Sequence, residues 1–271
     1  MHNGIQSIDH PVIAARDLSA ARRGFEELGF TVPPRGSHVE WGTGNLCIMF
    51  PDDYLEVRGI IDASRFTMHL DEHLENYGEG LMGVAFGTSD VHDSHARASA
   101  NGIDVGELRH LTRNFEHPDG WTKPSFELYA PAASDIDGLM HVVVIQHLTP
   151  ELIRRRDFLE HANGCIGVNA MAGTVTDINA SAKTLCRLLG NDGVELTGPE
   201  LILRLPSDQQ IVLQQGSMQR LVSVTLRVRD LKQLRDLLDA RGVQTMRQDN
   251  DHLVVDGVCG SRLQFTEALP G

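Results

Sequence analysis

Four times along the chain an apolar stretch of strand composition runs into an aspartate, and then into a segment whose apolar residues recur every three or four positions. The four segments are "PVIAARDLSAARRGFEELGF", "GVAFGTSDVHDSHARASANGI", "NAMAGTVTDINASAKTLCRLLG" and "SVTLRVRDLKQLRDLLDARGV". Asp17, Asp90, Asp177 and Asp230 are placed to cap a helix, because a carboxylate there accepts from orphan backbone N–H groups and suits the positive end of the dipole. Gly29, Gly102, Gly190 and Gly242 are placed to stop it by adopting the left-handed conformation. Short strand-like runs separated by turn residues follow each helix, for example "NLCIMF" and "YLEVRGI" after the first and "ELILRLP" and "QQIVLQQG" after the third.

The unit is therefore β-α-β-β-β, and the chain is an α+β fold of four βαβββ modules. One curled sheet with one helix leaves a face uncovered, so modules should pair, two sheets closing on a cleft. This predicts a first paired-module domain over 1–147, a connector over 148–166 and a second domain over 167–271.

Composition narrows the partners. With 24 Lys and Arg against 37 Asp and Glu, the net charge of −13 opposes nucleic acid and anionic membranes. No apolar run reaches the roughly 20 residues of a membrane span, and "MHNGIQSIDH" lacks the marks of a signal peptide, so a cytoplasmic protein is expected. Cys47, Cys165, Cys186 and Cys259 form no C-x-x-C pair and read as buried thiols. A small-molecule substrate is the expected partner, with the C-terminal half available as a homodimer surface.

Candidate chemistry concentrates in the first module, where His10 and Glu56 lie on strands able to share one sheet. An imidazole and a carboxylate converging on a concave face are half of a divalent-metal site. His38 and Asn45 are candidates beside them. Arg113 offers a bidentate fork to a substrate carboxylate, and His161 and Asn163 in "EHANG" could close the pocket or simply end a helix. His69 and His73, in the acidic "LDEHLENYGEG", read as an exposed connector.

The segments "IDHPVIAARDLSAARRGFEELGFTV", "HVEWGTGNLCIMFPDDYLEV" and "QHLTPELIRRR…EHANG" together resemble the glyoxalase-like branch of the vicinal oxygen chelate superfamily. The resemblance implies a metal held by a histidine on the first strand and a glutamate on the last strand of a module, here His10 and Glu56. It also implies a substrate bound through two oxygens. Counting back seven residues from the other caps leads to Gly83, Ala170 and Ser223, and the nearest counterparts of Glu56 are Gln146, Gln214 or Gln215, and Gln264. The expectation is thus one manganese, iron, zinc or nickel ion in the N-terminal pair, with His38, His141, His147 and Gln146 as candidates to complete its ligands. Glu56 would double as the catalytic base of a lyase or isomerase working through an enolate. A ring-cleaving dioxygenase and a metal-free binding protein of the same fold are the alternatives.

Overall fold

The computed structural model describes residues 3–38, 41–132, 139, 141–247 and 252–268. The first module is β1 (Ile5–Ala14), α1 (Leu18–Glu27), β2 (Gly36–His38), β3 (Thr43–Met49) and β4 (Tyr54–Ile60). A short helix, α2 (Leu70–Asn76), leads to the second: β5 (Gly80–Thr88), α3 (Val91–Ala100), β6 (Arg109–His117), β7 (Gly120–Thr122), β8 (Ser125–Tyr129) and β9 (His141–His147). After α4 (Arg156–Leu159), the third module runs β10 (Cys165–Val175), α5 (Ile178–Leu189), β11 (Val194–Thr197), β12 (Glu200–Arg204) and β13 (Gln210–Gln215). The fourth is β14 (Arg220–Val228), α6 (Leu231–Ala240), β15 (Met246–Arg247), β16 (His252–Val258) and β17 (Ser261–Glu267). No helix among the described residues is long and apolar enough to cross a membrane.

All four aspartates cap as their position dictates: Asp17 Oδ1, for instance, accepts from the N–H groups of Ser19 and Ala20 at 2.7 and 3.1 Å. The four glycines that follow the helices have φ between 72° and 87°, where a side chain would be strained.

Two modules make one sheet, not two facing ones. Strands β1 and β5 pair antiparallel and fuse the first and second modules into a nine-stranded sheet ordered β2-β3-β4-β1-β5-β9-β8-β6-β7. A further pairing of β2 with β6 draws this sheet into a closed cup. The third and fourth modules repeat the plan through β10 and β14 in an eight-stranded sheet, β11-β12-β13-β10-β14-β17-β16-β15. One apolar core reaches from Ile13, Phe25 and Phe86 to Leu188, Leu226 and Phe265, so residues of α1, α5 and both sheets are buried together.

The register identifies equivalent positions. Val12 on β1 lies beside Glu56, and its equivalents Ala85, Ala172 and Thr225 lie beside Val143, Val212 and Gln264. The counterparts of Glu56 are therefore two valines and one glutamine, and Gln146 and Gln215 serve another purpose three residues further on. Gln146 Oε1 accepts from Val91 N at 3.0 Å, Gln215 Oε1 from Ile178 N at 3.1 Å and Glu267 Oε2 from Leu231 N at 3.2 Å. Each is a second cap on its module's helix. The first module has Gly59 there, where an added Cβ would meet the Leu18 side chain at 2.6 Å. Gln215→Ala is expected to cost about 1 kcal/mol and to lower Tm by about 2–4 °C. Calorimetry showing no change would mean that water replaces this cap without loss.

The acidic stretch expected as an exposed connector forms α2, which buries Leu70, His73 and Leu74 against Val12, Ala14 and Met82. His73 is thereby taken from any pairing with His69, which faces Glu72 instead.

Candidate functional site

Strand alternation and one bulge build the site. Along β4, Tyr54, Glu56 and Arg58 point into the cup while Leu55 and Val57 enter the shared core. On β1 the register against β5 slips between Ile8 and His10, leaving Asp9 as the extra residue of a bulge. Both Asp9 and His10 are buried, and His10 Nδ1 meets Asp9 Oδ1 at 2.6 Å.

From that contact a chain of alternating charge crosses the cup floor. His147 Nε2 lies 2.9 Å from Asp9 Oδ2, and His10 Nε2 lies 3.5 Å from Glu56 Oε2. The same Glu56 oxygen accepts from Arg58 Nη2 at 2.6 Å, while Oε1 accepts from Asn45 Nδ2 at 2.7 Å. The Tyr54 ring stacks on His10 with centroids 4.2 Å apart. Burial opposes charge on both members of the Asp9–His10 pair. It is outweighed at Asp9 by attraction and hydrogen bonds from His147 and His10, which hold the carboxyl well below the usual range. At His10 it is outweighed by hydrogen bonds to Asp9 and Glu56, which raise the imidazole above its ordinary value.

His10, Asn45, Tyr54, Glu56 and Arg58 line a cavity of about 370 Å³, a size in the range of small-molecule sites, with Asp9 and His147 behind them. Its walls include Leu111, Phe126, Leu128, Val143 and Ile145, and Trp41, Phe66 and Met68 also border it. Arg113 reaches it from β6, with Nη1 3.0 Å from Cys47 Sγ and the guanidinium 5.3 and 5.7 Å from the Phe115 and Phe126 ring centres. Burial pushes the Cys47 thiol up, which leaves it uncharged beside this cation.

The structure thus brings together His10, Glu56, Asn45 and Arg113. It adds Asp9, Tyr54 and Arg58. His147 turns to Asp9, away from a ligand role beside Glu56. The His38 side chain is outside the described residues, although its backbone pairs with Arg113. His161 and Asn163 do not line the cavity. His161 sits between Phe30 and Phe50, with Nδ1 accepting from Thr31 N and Nε2 donating to Met49 O. Asn163 Nδ2 donates to Leu28 O, so both residues tie the connector to the first module.

A divalent cation with bonds near 2.1 Å could sit between His10 Nε2 and Glu56 Oε2, and the carboxylate on the far nitrogen of His10 is a usual support for a ligating imidazole. The set nevertheless stops at two donors. The equivalent positions of the second module hold Gly83 and Val143, a guanidinium already occupies the Glu56 oxygen, and no group of three His, Cys, Asp or Glu fit for a metal occurs among the described residues. These donors alone do not complete a metal site.

A family model described as a glyoxalase-like domain matches residues 8–189. No curated protein matches the chain. Among solved structures, a hypothetical protein from Staphylococcus aureus superposes with TM-score 0.75 at 14% identity, covering 96% of this chain and 99% of its own. A triple mutant of 4-hydroxymandelate synthase from Streptomyces coelicolor gives TM-score 0.68 at 11% identity, covering 99% and 94%. A fusion of a xylose isomerase-like TIM barrel with a 4-hydroxyphenylpyruvate dioxygenase gives 0.63 at 12%, covering 100% of this chain and 50% of that one.

Proposed function

Because the chain belongs to the glyoxalase-like domain family, we propose that it is an enzyme of the isomerase or lyase type acting on a small carbonyl compound in the N-terminal cup. The observation that carries this reading is the buried Asp9–His10–Glu56 chain, whose His10 and Glu56 line the cavity and set an acid and a base 3.5 Å apart. Neighbouring atoms of a substrate can meet both at once. Glu56, oriented by Asn45 and Arg58, takes the proton from the carbon beside the carbonyl. The C–H electrons form the new C=C bond, the carbonyl pair moves to oxygen, and that oxygen takes the Nε2 proton of His10. Asp9 stabilises the imidazolium before the step and orients the neutral ring after it. Where the neighbouring carbon carries a hydroxyl, that hydroxyl gives its proton to the now neutral His10 Nε2 as the new C=O forms, and the C=C pair takes the Glu56 proton at the former carbonyl carbon, which completes an isomerisation with both residues restored.

Proton NMR in D₂O with a panel of small ketones, aldehydes and oxo acids tests this. Wild type is expected to exchange or convert at least one, and His10→Gln to slow it by about 100-fold or more. Activity should fall as pH rises through the raised value of His10, since the acid is then lost. An inert panel, or an unaffected His10→Gln variant, would refute the proposal.

The 3.5 Å spacing of His10 and Glu56 also favours a second reading, in which one manganese, iron, zinc or nickel ion held by these two side chains binds the substrate through two oxygens. Elemental analysis finding about one such ion per chain, lost in His10→Ala, selects that reading.

A further inference from the structure

Arg113 is 6% exposed, and its Nε and Nη2 have no hydrogen-bond partner. These are the two donors on one edge of the guanidinium, the pair that points in parallel and matches two oxygens of one planar anion. Its third nitrogen has only the Cys47 sulfur, a weak acceptor. Phe115 and Phe126 offer ring faces that attract a cation without accepting these hydrogens. A buried guanidinium left this way is costly unless something else supplies the acceptors.

The two buried carboxylates of the cup are already engaged: Glu56 answers Arg58, and Asp9 is shared by His10 and His147, so neither is left to answer Arg113. This holds in a chain whose overall charge is −13, where nonspecific attraction for anions is absent. Leu111, Phe126, Leu128, Val143 and Ile145 line the same cavity as Arg113, His10 and Glu56. A highly charged or sugar-like body would lose its hydration there without recovering hydrogen bonds.

Building on the reading of this cup as a substrate site, we propose that its ligand is a small organic monocarboxylate with an apolar or aromatic body, the carboxylate bound side-on by Nε and Nη2 of Arg113. The carboxylate fixes one end and the apolar wall fixes the body. The reacting carbon and oxygen are then delivered to Glu56 and His10, an ordering that depends on a two-point grip.

The test uses phenylacetate, its neutral isostere phenylacetamide and inorganic phosphate, with binding followed by NMR titration of the full chain. Phenylacetate is expected to bind about tenfold or more tightly than phenylacetamide, and to shift the Arg113 Nε–H resonance of the wild-type protein. Arg113→Gln should remove that preference, and Arg113→Lys, which keeps the charge without the fork, should retain part of it. Equal binding of acid and amide, an unmoved Arg113 resonance, or phosphate binding as tightly as phenylacetate would overturn the proposal. The wild-type resonance and the acid-to-amide ratio stand even if Arg113→Gln does not fold. Carboxylate binding with no proton exchange in any acid would sink the proposed reaction alone, and turnover of neutral carbonyl compounds without carboxylate preference would sink this inference alone.

Discussion

Glu56→Ala is expected to destabilise the protein by about 3–5 kcal/mol, because it removes one partner of a buried ion pair and leaves the other uncompensated. Arg58 would remain with its guanidinium 2.6 Å from an oxygen no longer there, and it cannot discharge by losing a proton. Asn45 would lose its acceptor as well. Glu56→Gln keeps acceptor and shape and should cost less. The double variant Glu56→Ala with Arg58→Met removes both charges and should recover at least half of the loss, since apolar replacement of a whole buried pair is close to neutral. Urea unfolding measures all three. A Glu56→Ala variant within about 1 kcal/mol of wild type would show that the pair is solvated, in the manner of a surface salt bridge.

The second large effect concerns Asp53, at the seam between the two sheets. Its Oδ1 accepts from Val168 N at 2.9 Å and its Oδ2 from Gln209 Nε2 at 3.0 Å, while Gln209 Oε1 accepts from Ile8 N at 2.7 Å. Strands β1 and β10, one from each sheet, meet on this one carboxyl and one amide. Burial pushes Asp53 up to about 7, with the Val168 hydrogen bond and Arg227 opposing the rise. A folded value above the unfolded 3.8 means that the stabilising contribution is fully present below pH 3.8 and is lost as pH rises through about 7. Between pH 5 and 8 the loss should be on the order of 3 kcal/mol, at 1.36 kcal/mol per unit. Asp53→Asn removes the titration and keeps an acceptor for Val168. Unfolding free energies of the two proteins are expected to converge, or cross in favour of the variant, over that range. Parallel curves would show that Gln209 and Arg227 keep the carboxylate ionised throughout.

The fold is legible because its signals are local and repeated. An aspartate before each helix, a glycine after it and a switch in apolar period mark the modules whatever their tertiary setting. The fusion of two modules into one sheet is not legible, since β1 and β5 are apolar whichever partner they take. The cavity is legible where a polar or charged residue interrupts an apolar strand, as at His10, Glu56 and Asn45. Asp9 is hidden because strand alternation puts it opposite His10, and only the bulge turns both inward. Gln146 and Gln215 mislead because a shift of three residues along a strand, invisible in composition, separates a helix cap from a ligand position. His161 misleads for a different reason: a histidine that bridges two backbone groups has the same sequence neighbourhood as one that lines a pocket.

The slip in pairing that lifts Asp9 out of alternation has a twin in the other half, where β10 shifts against β14 between Val168 and Ala170. Both steps lie eight residues before the aspartate that caps the following helix, at Asp9 in the first half and Asn169 in the second. In the first half the step carries Asp9 and His10, and in the second it follows Val168, whose N–H donates to Asp53. One irregularity of backbone pairing thus sets two charged side chains together in one sheet and offers the other sheet's anchor at the seam.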